Sequence, residues 1–354
     1  MRLTPQASSA GVRQLPGKHL LLLTDLPSLP AVDELPEVFD RAFPQWCKYF
    51  GVPQARHADW RVTGCVMKDA SLFRKLRLLP ERVPPFDNGY SYNFDLWVVD
   101  QSTDYYRRHL LLHEGVHSFM NTLLGSCGPP WYAEGIAELL GTHRWHDGEL
   151  TLGYLPPSPD ETLMGWGRIK FVRDAFAARR ARHLADILKY DPVTQPGPEA
   201  YGWCWAMAAF LDGHPRYQAR FRTLPRIVGK PDFNDRFRRL YAADWNNLTE
   251  EWQVFAADLE YGYDMKRTVI DFTPGRALAQ GGGQVTVQAD RGWQNSGVAL
   301  KEGRTYQLRA KGRYQVADKP QIWWCEPNGV SIRYYRGHPL GILLAAVRPE
   351  VPAA

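Results

Sequence analysis

The sequence predicts an α+β fold in three parts: a mixed α/β lead-in over residues 1–103, a mainly helical body over 104–264, and a small β module over 265–354. Three observations predict it. The first hundred residues alternate short apolar runs with one long helical period. The middle of the chain repeats apolar residues at three- and four-residue spacing between Pro-rich breaks. Beyond about residue 265, Gly281–Gly283 and Gly303 punctuate alternating runs such as Val285, Val287, Ala289 and Tyr306, Leu308, Ala310.

The elements follow in order. His19 to Thr24 reads as a strand, Val32 to Tyr49 as a long helix, Arg61 to Met67 as a second strand and Leu72 to Leu78 as a short helix. Pro84, Pro85, Asp87, Asn88 and Gly89 make a turn-rich loop, and Phe94 to Val99 follows as a strand. From Asp104 to Leu124 the positions Leu110, Leu111, Val116, Phe119, Met120, Leu123 and Leu124 fit a helix that Gly125 stops. Pro129 and Pro130 suit the first turn of the next helix, which Gly141 ends. Further helical patterns cover about 163–180, 199–212 and 233–260, separated by Pro-rich loops at 155–160 and 192–198.

Composition narrows the class. With 354 residues, 44% hydrophobic and 23% charged, the chain has enough apolar material for a sizeable core, which excludes disorder and coiled coil. A membrane span needs roughly 20 apolar residues; the run Leu20 to Leu23 is far shorter and also falls short of a secretory signal core. The net charge of +5 is spread without a block of like charges, so the sequence predicts no nucleic-acid partner. Cys47, Cys65, Cys127, Cys204 and Cys325 are odd in number and widely spaced, so they read as free thiols, mostly buried.

The chemistry concentrates at His113-Glu114-x-x-His117, inside the predicted 104–124 helix. Two residues four apart differ by about 40° around a helix and roughly 6 Å along it, so both imidazoles leave one face and can share an ion. Glu114 is placed to reach a water on that ion. Neutral imidazoles suit Zn²⁺, and a catalytic zinc takes three protein ligands with a fourth position for water. Chance alone would give this pattern roughly 0.01 to 0.02 times in such a chain. The next helix, Trp131-Tyr-Ala-Glu134-Gly135-Ile-Ala-Glu138, offers carboxylates four apart on one face: one can bind metal while the other holds a ligand histidine by its second ring nitrogen. The plain alternative is a solvent-facing acidic stripe.

His113-Glu114-x-x-His117 followed by Trp131-x-x-Glu134-Gly135-x-Ala137 resembles the gluzincin metallopeptidases, in particular the bacterial peptidase MA-like proteins. The resemblance covers roughly residues 90 to 212 and implies a zincin-like body. It implies His113, His117 and Glu134 as ligands of one Zn²⁺ per chain, Glu114 as general base, and Glu138 as the acid behind the ligands. In the aminopeptidase branch a Tyr that steadies the oxyanion opens a helix of the form Tyr-x-x-Gly-x-Ala-x-x-x-x-Leu. Here Tyr201-Gly-Trp-Cys204-Trp-Ala206-x-x-x-x-Leu211 has that spacing with Cys204 in place of Gly, and the alternative for Tyr201 is a packed aromatic among Trp203 and Trp205. The Gly-x-Met-Glu-Asn segment that grips a free amino terminus has no counterpart in residues 70–104, which favours endopeptidase over aminopeptidase activity. Phe94 to Val99 sits where gluzincins use an edge strand to pair with extended substrate. His143, His146 and Arg168 follow closely enough to be substrate contacts, or plain surface.

Residues 284–348 resemble part of the bacterial calcium-dependent galactophilic lectin, a small β-sandwich, at Ser296-Gly297-Val298, Glu302-Gly303-Arg304-Thr305-Tyr306, Ala310-Lys-Gly312, Trp324-x-x-Pro327-x-Gly329 and Gly341-Ile-Leu-Leu. The resemblance implies an incomplete sandwich with an open edge, a glycan or protein contact, and an exported protein, while leaving the compartment open. Trp323, Trp324 and Tyr335 are candidates for a sugar-stacking platform. Asp290, Glu302, Asp318, Glu326 and Glu350 are scattered singly, so no Ca²⁺ site is expected. Taken together the sequence predicts a zinc metallopeptidase, a hydrolase acting on a peptide or protein. The alternatives are a catalytically silent zincin scaffold that displays a glycan- or protein-binding module, and a zinc-stabilised structural scaffold.

Overall fold

The computed structural model describes residues 5–159, 166–195 and 197–349 of a mixed α+β chain. It forms two compact units, one running to Val269 and one beginning at Ile270. The first opens with α1 (Pro5–Ser9), β1 (Arg13–Pro16) and β2 (Leu20–Thr24). An unbroken leucine run suits a strand covered on both faces, and Leu20 and Leu22 enter one core while Leu23 enters another. The predicted Val32–Tyr49 helix divides into α2 (Pro30–Asp33) and α3 (Leu35–Phe50), where Pro36, lacking an N–H to continue the ladder of α2, stands in the first turn of α3.

After β3 (Val62–Met67), Asp69 caps α4 (Ala70–Lys75) by accepting from the amides of Ser71 and Leu72. Then β4 (Gly89–Tyr92) turns at Asn93 into β5 (Asp95–Val99). The sheet order is β1-β2-β3-β5-β4, with β2, β3 and β5 parallel and β1 and β4 antiparallel at the two edges. This corrects the expectation that Phe94–Val99 is the edge: β4, hidden in sequence at the end of a turn-rich loop, covers it. One sheet face, with Leu20, Leu22, Val62, Val66, Leu96 and Val98, packs on the helices, while Leu23, Cys65, Met67 and Trp97 pack with Phe73, Leu78 and Leu79 on the other.

The helical part comprises α5 (Asp104–Phe119), α6 (Pro130–Gly141), the hairpin β6 (His143–His146) and β7 (Glu149–Leu152), α7 (Arg168–Ala177), α8 (Leu184–Ile187), α9 (Pro198–Gly213), α10 (Gln218–Phe221), α11 (Phe233–Leu240) and α12 (Trp245–Asp258). Of the predicted 163–180 helix, residues 163–165 lie outside the described residues. The predicted 233–260 helix breaks at Tyr241–Asp244 into α11 and α12. The hairpin was not anticipated; its Asp147-Gly148 turn has both residues at positive φ, the geometry a tight two-residue turn requires. Phe39, Phe43, Trp46, Trp60 and Phe119 stack or meet edge-on, fastening α3 to α5, and the sheet and helices share one continuous core. Among the described residues no helix is long and apolar enough to cross a membrane.

The second unit has paired strands in place of a common sheet: β8 (Arg276–Ala277) with β9 (Val298–Ala299), β10 (Tyr314–Ala317) with β11 (Trp323–Cys325), and β12 (Val330–Tyr335) with β13 (His338–Leu340). The alternating runs Val285–Ala289 and Tyr306–Ala310 are not strands, correcting the sequence reading. Nothing covers them: Val285, Val287 and Leu308 stay exposed. Trp323, Trp324 and Tyr335 each carry an arginine on the ring, from Arg333, Arg313 and Arg336 respectively. Glu350 lies outside the described residues. Cys325 is the one buried residue among those described after Val269. Burying about 1 residue cannot offset the ordering of eighty, so residues 270–354 produced alone are expected to melt without a cooperative transition. A sigmoidal, reversible unfolding curve from that fragment would contradict this.

Candidate metal centre

Thr103 caps α5 by accepting from the Tyr106 amide, and the helix then runs through the middle of the first unit with its flanks covered. It passes into a wider π turn over Met120–Leu124 and stops at Gly125, whose φ of 81° is left-handed. Five residues later Pro130 starts α6. The short connection lays α6 back across α5, so the Glu134 carboxylate faces the two histidines one helix earlier. Tyr201 arrives from a third element: Gly197, at φ 106°, turns the chain into α9, and Pro198 sets its first turn.

The three candidate ligands converge. His113 Nε2 and His117 Nε2 are 3.1 Å apart, and Glu134 Oε2 lies 3.2 Å from the first and 3.5 Å from the second. Donors at the corners of a tetrahedron with bonds of about 2.0–2.1 Å are about 3.3 Å apart, which is the spacing zinc would impose. Glu134 Oε2 is buried and makes no hydrogen bond of good geometry among the described residues, although both imidazoles are near it. That orphaned oxygen and the nitrogen, nitrogen, oxygen donor set fit a divalent metal of the zinc type; the same three residues form one of two histidine and carboxylate clusters among the described residues.

Burial opposes charge throughout the cluster, yet its pairing wins. Burial works against protonation of His113, but the carboxylates of Glu134 and Glu138 close to its two nitrogens hold its pKa up at about 9. His117 is likewise held well above the ordinary imidazole value, chiefly by the Glu134 charge. Glu134 resists its own burial because the two imidazoles face it, and falls to about 2. A metal taken up by these three groups would compete with protons for the imidazoles.

Glu138 stands behind the ligands. Its Oε1 lies 3.4 Å from His113 Nδ1 and its Oε2 3.3 Å from His109 Nε2. Arg168 donates to both oxygens, Nε at 2.7 Å and Nη2 at 2.8 Å. Arg168 was expected as a substrate contact; both it and Glu138 are instead buried in a two-pronged pair, and removing one partner of such a pair costs about 3–5 kcal/mol. His109 completes the network. Its sequence signal is the stripe His109, His113, His117 at four-residue intervals, which the two-histidine motif passes over.

Glu114 is almost fully buried, and burial raises its carboxyl although His113 and His117 pull the other way. Ser91 of β4 also pulls it down. Tyr201 leans over His113 with ring centroids 6.4 Å apart; the Glu134 charge and burial together raise its phenol, so it remains a hydrogen-bond donor. Tyr190, unmarked by any motif, meets Tyr201 edge-on at 6.4 Å. Cys127, the one cysteine of the five that is not buried, donates to the His117 carbonyl at 3.6 Å.

Two further sequence candidates are corrected or left apart. His143 is buried with both nitrogens occupied: Nδ1–H donates to the Gly141 carbonyl at 2.8 Å and Nε2 accepts from Arg108 at 3.3 Å, while the ring stacks on Tyr105. Its polar atoms are spent within the fold. His146 is exposed at the hairpin tip beside Asp147, and no contact joins it to the cluster. No family model matches the chain, and no curated protein matches it.

Burial, with Arg108 and His109 adding to it, holds the His143 pKa down to about 3 against 6.5. The unfolded chain therefore binds a proton that the folded chain refuses between about pH 6.5 and 3. This stability is complete above the unfolded value and is lost as pH falls through that window, by up to about 1.4 kcal/mol per pH unit. In urea titrations from pH 6.5 to 4, His143→Gln is expected to lose stability less steeply than wild type; parallel slopes would assign the acid sensitivity elsewhere.

Proposed function

We propose that the chain is a zinc-dependent peptidase of the gluzincin type, its first unit a zincin-like body, cleaving within extended peptides. The observation that carries this reading is the convergence of His113 Nε2, His117 Nε2 and Glu134 Oε2 within 3.1–3.5 Å of one another, with a buried carboxylate, Glu114, next in the chain. A structural zinc needs no such carboxylate and is closed by a fourth protein ligand.

In this reading His113, His117 and Glu134 hold the ion, which when bound supplies Lewis-acid polarisation of the scissile carbonyl and acidifies the attacking water. Glu114 accepts the proton of that water and returns it to the departing amine. Its buried, raised carboxyl suits both directions of transfer. Tyr201 donates to the oxygen that gains negative charge as the carbonyl becomes tetrahedral, an interaction absent from the ground state. Glu138, fixed by Arg168, orients His113 through Nδ1.

Edge strand β4 supports internal cleavage. Its outer side has no strand partner among the described residues, and an extended peptide can add there by main-chain hydrogen bonds and pass over Glu114. The second unit, with its exposed Trp324 and Tyr335, is left with a docking task toward glycan or protein in this reading.

A mixed peptide library tests it. Wild type loaded with Zn²⁺ is expected to cut internal bonds, and Glu114→Gln to keep about one zinc while losing at least about 10³-fold in rate; His113→Ala/His117→Ala should lose the zinc. Hydrolysis by Glu114→Gln at the wild-type rate would refute the base assignment. Tyr201→Phe should lower kcat by roughly 10- to 10³-fold with KM little changed. A fully active Tyr201→Phe would show the phenol to be packing alone.

A further inference from the structure

We propose that β4 is a positioning strand for the base, with Gly89 and Ser91 setting where the Glu114 carboxylate lies; the inference rests on the peptidase reading of the same site. In the antiparallel register Gly89 pairs with Val98 and Ser91 with Leu96, while Tyr90 pairs with Trp97. Leu96 and Val98 face the core that contains α5, and Trp97 faces the opposite core. Side chains alternate along a strand, so positions 89 and 91 look toward α5 and Tyr90 looks away, against Phe86 and Trp97.

At position 89 there is no room for a side chain. A Cβ built there would sit 2.6 Å from Glu114 Oε1, 3.0 Å from its Cγ and 3.1 Å from its Cδ. The backbone does not demand glycine: Gly89 is not among the residues at positive φ. The residue is small because the carboxylate occupies its side-chain space. Two residues along the strand and on the same face, Ser91 acts on the same carboxylate and pulls its pKa down. Glu114 is thus held at one strand chiefly by the contact at 89, with Ser91 on the same face acting on its charge. Gly89 and Ser91 are positioning residues, since they reach the reacting atoms only through Glu114. The same strand is the edge proposed to receive the peptide, so base and substrate are set by one piece of backbone.

The test needs two readouts on the full chain. The first uses no substrate. Gly89→Ala should lower the melting temperature of wild type by about 2–4 °C, but should leave it unchanged or raise it in a Glu114→Ala background, where the space is free and alanine restricts the unfolded chain. The second uses a peptide cut by the wild type from the library. Gly89→Ala should lose about 10²-fold in kcat at nearly constant KM with zinc content intact, Ser91→Ala about tenfold, and Ser91→Thr should recover most of the latter loss. Equal melting shifts in the two backgrounds, or a Gly89→Ala enzyme with wild-type kcat, would overturn the proposal. If melting couples the two positions while the wild type cuts no peptide, the contact stands and the peptidase reading, with the base role of Glu114, falls.

Discussion

The arrangement of the site depends on how closely four helices approach in two pairs, α5 on α3 and α6 on α9. A Cβ at Gly115 would sit 2.6 Å from Phe39 and 2.7 Å from Trp46, both on α3, and a Cβ at Gly135 would sit 2.7 Å from the Cys204 carbonyl of α9. Both glycines directly follow a glutamate of the candidate site, Glu114 and Glu134. The close crossings therefore occur beside the residues whose positions matter, and a wider spacing would separate His113 and His117 from Glu134. Interiors this dense transmit displacement. The aromatic group Phe39, Phe43, Trp46, Trp60 and Phe119 makes the α3–α5 contact stiff as well as close.

Given that spacing, charge decides the rest. Four ionisable groups, His109, His113, Glu138 and Arg168, are buried together, and a buried charge is tolerable only when paired and hydrogen-bonded. Arg168 neutralises Glu138, which leaves its oxygens directed at two imidazoles. His109 is pushed below the ordinary imidazole value by burial, though Glu138 pulls upward, so it stays a neutral neighbour. A cation between His109, His113 and Glu138 would face the Arg168 guanidinium, and that repulsion weighs against the inner cluster although both clusters have the right residue types.

The spacing arguments that succeeded were local. His113 and His117 share a helix face because four residues nearly complete a turn, and the Pro130 start with a short loop brings α6 back over them; both facts are legible without tertiary structure. The partner of Glu138 was not legible, because Arg168 is 30 residues away and reaches it only after α6, α7 and α9 have packed together. His143 misled for the same reason: polarity close to a motif resembles a subsite until Arg108 and Gly141 occupy the ring. β4 was missed because a four-residue edge strand carrying glycine and serine has none of the apolar alternation by which strands are recognised. In the second unit the error ran the other way, since Val285, Val287 and Leu308 alternate without any surface to bury them.

β4 also joins regions that the sequence presents as separate. Tyr90 stacks with Phe86 and approaches Trp97, whose indole donates to the Leu78 carbonyl at 2.8 Å. That side of the strand is anchored in the core formed with α4 and the loop after it, more than 20 residues before the metal motif. The other side bears on Glu114. Because alternate residues of one strand cannot shift independently, a change in the packing beneath Tyr90 moves Gly89 and Ser91 with it. The second core is therefore part of the geometry of the site, and its packing beneath Tyr90 limits how far the carboxylate of Glu114 can stray from His113, His117 and Glu134.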